Sequence, residues 1–136
     1  MGGLKVIAVD THIIIWDALK PSQLSKKAKN AINKANKTDG ILFCEISLWE
    51  ISMLISRSKL TIETSYQEFI KLVTNSNNYQ YQGITPEIAE KSTSLPDEVN
   101  KDPADRIIAA TSVIKKVPLV TADKNLIKTK SIETIW

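Results

Sequence analysis

The sequence predicts an α/β domain built on a mostly parallel central sheet. Short apolar runs alternate with longer helical patterns along the chain, the arrangement that βαβ units require. The strongest runs, over residues 4–9, 41–44 and 118–122, are almost continuously hydrophobic, as strands covered on both faces are. Two of them end directly on an aspartate, Asp10 and Asp123. In such sheets ligands collect beyond the carboxyl ends of the strands.

The elements follow in order. After the first strand, the segment from Leu24 sets Leu24, Ala28, Ala31, Ile32 and Ala35 on one helical stripe, with Ser25 as a cap. Asp39-Gly40 breaks that helix and the second strand follows. Ser47 opens the next helix, with Leu48, Ile51, Leu54 and Ile55 inward and Arg57 and Lys59 near its end. Tyr66, Phe69, Ile70 and Val73 mark a further helix, and a polar break over 75–78 leads to a weaker strand over 79–84. Thr85-Pro86 is a cap followed by proline at the first helical position. That helix stops before Pro96, and residues 97–101 form a polar loop. Asp102-Pro103 starts a helix with Ala104, Ile107, Ile108, Thr111 and Ile114 on its apolar side. The strand over 118–122, a short helical turn and an edge strand over 131–136 complete the chain.

At 136 residues, the sequence reads as one domain, 1–136, large enough to bury a core without staples. The longest apolar run, residues 13–16, is far shorter than a membrane span, and the first residues lack the features of a signal peptide. A single cysteine, Cys44, excludes an internal disulfide and a cysteine-rich zinc site and reads as a small buried hydrophobe. These features lead to the expectation of a cytoplasmic protein. Net charge is only +3, but six lysines and no acid lie between Lys20 and Lys37. A lysine-rich helix is usually a solvated face; Lys26, Lys27 and Lys29 are also candidates for contact with phosphate groups.

Four carboxylates are expected on one rim of the sheet. Asp10 and Asp123 follow strands, Glu50 lies in the first turn after the second strand, and Asp105 lies in the first turn of a helix. Each has an ordinary structural explanation. Ser47-x-x-Glu50 matches a capping box, Asp102 is a good cap before Pro103, and Asp105 suits a helix dipole. Taken together, four converging acids repel one another and call for a cation, and hard oxygen ligands in that number point to Mg²⁺ or Mn²⁺. Such an ion can polarise a phosphodiester and lower the pKa of a bound water, so no histidine base is needed. The one histidine, His12, could face such an ion, but packing or hydrogen bonding beside the strand end is the expectation. Trp16 and Trp49 fall in helices flanking the rim, as core or dimer contacts.

Asp10-Thr11-His12 with Trp16, Ser47-Leu48-Trp49-Glu50-Ile51, Asp102-Pro103-Ala104-Asp105-Arg106 and Val120-Thr121-Ala122-Asp123 together resemble a PIN domain. More narrowly they resemble the VapC-type toxin ribonucleases with an Asp-Thr-His start. The resemblance runs from residue 4 to about 127, and Ala104 stands where these proteins often carry a larger residue. It implies a three-layer α/β/α sandwich. It also implies a metal-dependent endoribonuclease with Asp10, Glu50, Asp105 and Asp123 as the catalytic, metal-binding acids. Asp102, Thr11 and Thr121 would be accessory, Mg²⁺ or Mn²⁺ the cofactor and RNA the substrate. A homodimer and a cognate VapB-like antitoxin are implied as partners. Other readings remain open: a PIN nuclease of RNA processing, a catalytically silent PIN-fold binding module, or a phosphoacceptor or phosphatase on a similar sheet. The last of these wants Asp-x-Asp after the first strand, where position 12 is histidine.

Overall fold

The computed structural model describes residues 6–136; Leu4 and Lys5 of the expected first strand lie outside them. Among the described residues five strands form one sheet: β1 (Ile7–Val9), β2 (Ile41–Cys44), β3 (Tyr79–Gln82), β4 (Leu119–Val120) and β5 (Thr134–Ile135). Their spatial order is β3-β2-β1-β4-β5, and every pairing is parallel. Chain direction across the sheet reverses between β1 and β4, where Val9 pairs with Val120. A crevice therefore opens beyond the ends of these two strands.

Among the described residues seven helices cover the sheet: α1 (Thr11–Leu19), α2 (Lys26–Asn36), α3 (Ile46–Ser56), α4 (Tyr66–Ser76), α5 (Pro86–Ser94), α6 (Pro103–Lys115) and α7 (Lys124–Lys128). Alternate strand residues serve the two faces. Ile7, Val9, Ile41, Phe43 and Val120 pack with Ile13, Ile32, Ile51, Phe69 and Val73 from α1–α4. Ala8, Leu42, Cys44 and Leu119 pack with Ile88, Ile108, Ala109 and Leu126 from α5–α7. The result is a three-layer α/β/α sandwich.

Helix starts follow the sequence closely. The side chains of Ser25, Ser65 and Thr85 accept from the amides of Ala28, Glu68 and Ile88 at 3.1, 3.2 and 3.2 Å. α3 is the exception. It begins at Ile46 behind Glu45, which makes no side-chain cap bond, so Ser47 sits inside the helix and no capping box forms. Leu54 and Ile55 are only half-buried. The edge strands β3 and β5 are shorter than expected, and the polar loop contains a 3-10 turn over Asp97–Val99 whose Val99 is fully buried.

Among the described residues Gly40, Ser58 and Lys116 have φ between 57° and 93°. Gly40 has φ +93°, and a Cβ there would lie 2.8 Å from Gln80 Nε2 and 2.9 Å from the Asn78 carbonyl oxygen. Lys116 ends α6 at φ 57°, ψ 45°, a region that costs a side-chain-bearing residue about 1–2 kcal/mol. Gly40→Ala should destabilise by about 1–3 kcal/mol. Lys116→Gly should stabilise by up to about 1 kcal/mol, because glycine's extra freedom in the unfolded chain offsets part of the relieved strain. Urea unfolding of both variants checks the pair; equal effects would contradict this account of the two turns.

Candidate active site

The site is assembled from helix starts at the carboxyl edge of β1 and β4. Asp10 follows β1 and caps α1, its Oδ1 accepting from the Ile13 amide at 3.0 Å. Asp102 caps α6, its Oδ1 accepting from Ala104 and Asp105 amides at 2.8 and 3.2 Å. Asp123 caps α7 through bonds from the Asn125 and Leu126 amides at 2.8 and 3.1 Å. Three positive helix ends thus face the same acidic rim.

Glu50 enters from α3 and is 7% exposed. Thr11 Oγ1 donates to its Oε1 and lies 2.8 Å from Ser47 Oγ. Thr121, fully buried after β4, accepts from the Asp123 amide at 3.0 Å, and its hydroxyl acts on Asp10 against the effect of burial. Carboxylate oxygens of Glu50, Asp102 and Asp105 all lie within 4.8 Å of one another.

The electrostatics follow from that crowding. Burial raises the Asp105 carboxyl from its ordinary 3.8 to about 7, helped by the charges of Asp102, Glu50, Asp123 and Asp10. Asp10 and Glu50 are also raised, first by burial, while the hydroxyls of Thr121 and Thr11 oppose the shift. Every charge acting on Asp105 is another carboxylate. The donors are hard oxygens, closely spaced, negative and partly accessible, which is the chemistry that suits Mg²⁺ or Mn²⁺.

All four expected acids therefore share one electrostatic site, but not equally. Asp102, expected as a neighbour, joins Glu50 and Asp105 in the tight cluster, whereas Asp10 and Asp123 flank it. Thr11 and Thr121 each touch an expected acid. Lys26, Lys27 and Lys29 are exposed on α2 and are absent from the charges acting on the acids. His12 is exposed and not buried against the strand end; it stands against Trp16, with ring centroids 5.9 Å apart, and its charge acts on Asp10 and Glu50. Trp49 is 57% exposed, while Cys44 is buried as expected. Sequence reasoning missed Asn100, whose Nδ2 donates to Asp105 Oδ2 at 3.2 Å and to Asp123 Oδ2 at 3.0 Å. It also gave Ser47 a cap's role in place of its contact with Thr11. A groove of mixed lining, with Trp16, Leu60, Ile62 and Phe69 beside Asp17, Lys59 and Glu63, reaches His12 but none of the rim carboxylates.

The chain is 28% identical over 123 residues to Ribonuclease VapC22 of Mycobacterium tuberculosis (strain ATCC 25618 / H37Rv), across 90% of this chain and 91% of that protein. Its fold is similar to that of VapBC2 from Rickettsia felis bound to a DNA fragment from its promoter (TM-score 0.71, 16% identity, 95% and 96% of the two chains covered). It is also similar to DNA-bound VapBC from Salmonella typhimurium (TM-score 0.68, 15% identity, 97% of each chain). The PIN domain family model matches residues 7–132, a span that takes in the whole acidic rim from Asp10 to Asp123. The chain belongs to the PIN domain family.

Proposed function

We propose that this protein is a divalent-metal-dependent endoribonuclease, the toxin of a type II toxin–antitoxin pair. The observation that carries the metal site is the cluster of Glu50, Asp102 and Asp105 oxygens within 4.8 Å of one another, where burial first and then the neighbouring carboxylates raise Asp105. The relationship to a protein named a ribonuclease supports the substrate class. Likeness in fold to VapBC structures supports a VapB-like antitoxin partner; the homodimer rests on the resemblance of the sequence motifs alone.

In this reading Glu50, Asp102 and Asp105 hold Mg²⁺ or Mn²⁺, with Asp10 and Asp123 completing the negative field from the strand ends. The ion, when bound, supplies Lewis-acid stabilisation of a phosphodiester and a more acidic water. The chain's own residues set the stage for that chemistry. Thr11 fixes one oxygen of Glu50. The amides at the α1, α6 and α7 starts hold Asp10, Asp102 and Asp123 in single orientations. His12 is left exposed at the rim, and no histidine is needed as a base. The exposed lysines of α2 offer phosphate contacts along the RNA backbone.

Antitoxin-free protein should cleave RNA with Mg²⁺ or Mn²⁺ and stop in EDTA. Asp105→Asn and Glu50→Gln should each lower kcat by about a hundredfold or more, at the upper end of effects on metal-site affinity and activity. Undiminished cleavage in EDTA would sink the mechanism.

Stability gives an independent test. In the metal-free fold Asp105 keeps its proton to about pH 7 against an ordinary 3.8, so the unfolded chain releases it first. The contribution is fully present below about pH 4 and is lost as pH rises through 7. Asp105→Asn should therefore flatten this decline, matching or exceeding the parent's melting temperature in EDTA at neutral pH. Excess Mn²⁺ should raise the parent's melting temperature and raise the variant's less. A parent indifferent to Mn²⁺, with a weakened Asp105→Asn, would reduce the acids to helix caps.

Replacing Lys26, Lys27 and Lys29 together with Gln should weaken RNA binding and flatten its salt dependence by about 0.7 in log–log slope per lost phosphate contact. An unchanged slope in filter-binding titrations would return α2 to a solvated face.

A further inference from the structure

Beside the acids, the loop between α5 and α6 carries an arrangement that their own sequence motifs do not require. Asn100 spends its whole side-chain amide within the site. Its Nδ2 donates to Asp105 Oδ2 at 3.2 Å and to Asp123 Oδ2 at 3.0 Å, and its Oδ1 accepts from Asn125 Nδ2 at 2.7 Å. The orientation of that amide follows from charge. Turned over, it would point its oxygen at two carboxylates and its NH₂ at another NH₂.

The loop bearing Asn100 is gripped by Arg106, one turn into α6. Its Nε donates to the Ser92 carbonyl at 2.8 Å, Nη2 to Leu95 at 2.6 Å, and Nη1 to Asn100 at 2.9 Å and Pro96 at 3.3 Å. A guanidinium spreads its donors in a rigid plane and can serve several carbonyls at once; a lysine amine cannot reproduce that span. Each of these carbonyls lies at the end of α5 or in the loop that follows.

We propose that Asn100 is a positioning residue for the metal-binding carboxylates, set in place by Arg106. This rests on the metal-site reading above. Asn100 ties Asp105, from the start of α6, to Asp123, from the start of α7, and so fixes the spacing between acids supplied by separate segments. Both of its bonds go to Oδ2 atoms, which leaves Asp105 Oδ1 free to face a cation. Outer partners of this kind commonly change metal affinity or activity by 10- to 100-fold.

The test is calorimetric titration of Mn²⁺ into the parent, Asn100→Ala, Asn125→Ala, Arg106→Lys and the Asn100→Ala/Arg106→Lys double variant, with circular dichroism to verify folding. Asn100→Ala and Arg106→Lys should each weaken Mn²⁺ binding by about tenfold or more, and Asn125→Ala should do so less. The double variant should lose little beyond either single one, because Arg106 acts through Asn100. With RNA, kcat should fall while KM stays within about twofold, since the amide meets the acids and not the substrate. Parent-like Mn²⁺ affinity in Asn100→Ala overturns the proposal, and additive losses in the double variant overturn the part given to Arg106. Should Arg106→Lys not fold, the two asparagine variants decide the matter alone. A parent that binds no Mn²⁺ removes the metal-site reading and this proposal with it, an outcome distinct from a parent that binds and an Asn100→Ala that binds equally well.

Discussion

Repulsion among carboxylates at one rim is the constraint that the surrounding structure has to meet. Asp105 feels the charges of Asp102, Glu50, Asp123 and Asp10, and unopposed they would spread the edge of the sheet. The fold opposes them chiefly with neutral donors, beside a favourable charge interaction of His12 with Asp10 and Glu50. Asp10, Asp102 and Asp123 each receive main-chain amides at the start of a helix. Glu50 receives the Thr11 hydroxyl, and Asp105 and Asp123 share one amide nitrogen from Asn100. Neutral donors soften the repulsion and leave the net charge in place.

This arrangement dissolves an apparent choice between capping and catalysis. From the sequence, a cap and a metal ligand look like rival explanations of the same aspartate. In the structure Asp10, Asp102 and Asp123 are caps, and for that reason they are aimed. A caps-only account would leave the acids dispersed, since helix starts need not meet. Here they meet because β1 and β4 are adjacent and parallel and their following helices begin at the same edge. The bonds that end strand and begin helix also fix the direction of each carboxylate, which is how so short a chain can hold several acids in register.

The legible parts of the fold were those set by local chemistry: continuous apolar strands, Ser25, Thr85-Pro86 and Asp102-Pro103 as helix starts, and acids following strands. What escaped had tertiary causes. The helix after β1 could not be delimited from periodicity, because Ile13, Ile14 and Ile15 are all buried and show no amphipathic rhythm. Ser47 and Glu50 match a capping box letter by letter, yet the cap position falls two residues earlier, at Glu45, and Ser47 turns to Thr11, 36 positions away. Asp102 could be read as a cap, but its place beside Glu50 depends on how α3 and α6 approach each other. Asn100 sat in a stretch readable only as polar loop, since its partners come from α6, the loop after β4 and the start of α7.

The use of an amide and not an amine at position 100 bears on what the rim is for. A lysine reaching Asp105 and Asp123 would quench their repulsion more completely, and it would also occupy the place where an external cation must sit. The arginine nearest the acids, Arg106, is turned to the carbonyls of Ser92, Leu95, Pro96 and Asn100. Its charge is spent on shaping a loop and not on neutralising the site. A structure selected only for stability would gain by pairing these acids internally, because unpaired ionised groups near the interior are costly. Keeping five carboxylates together, satisfied by neutral donors and left net negative, costs stability in the free protein. That cost is intelligible when a divalent ion supplies the missing charge.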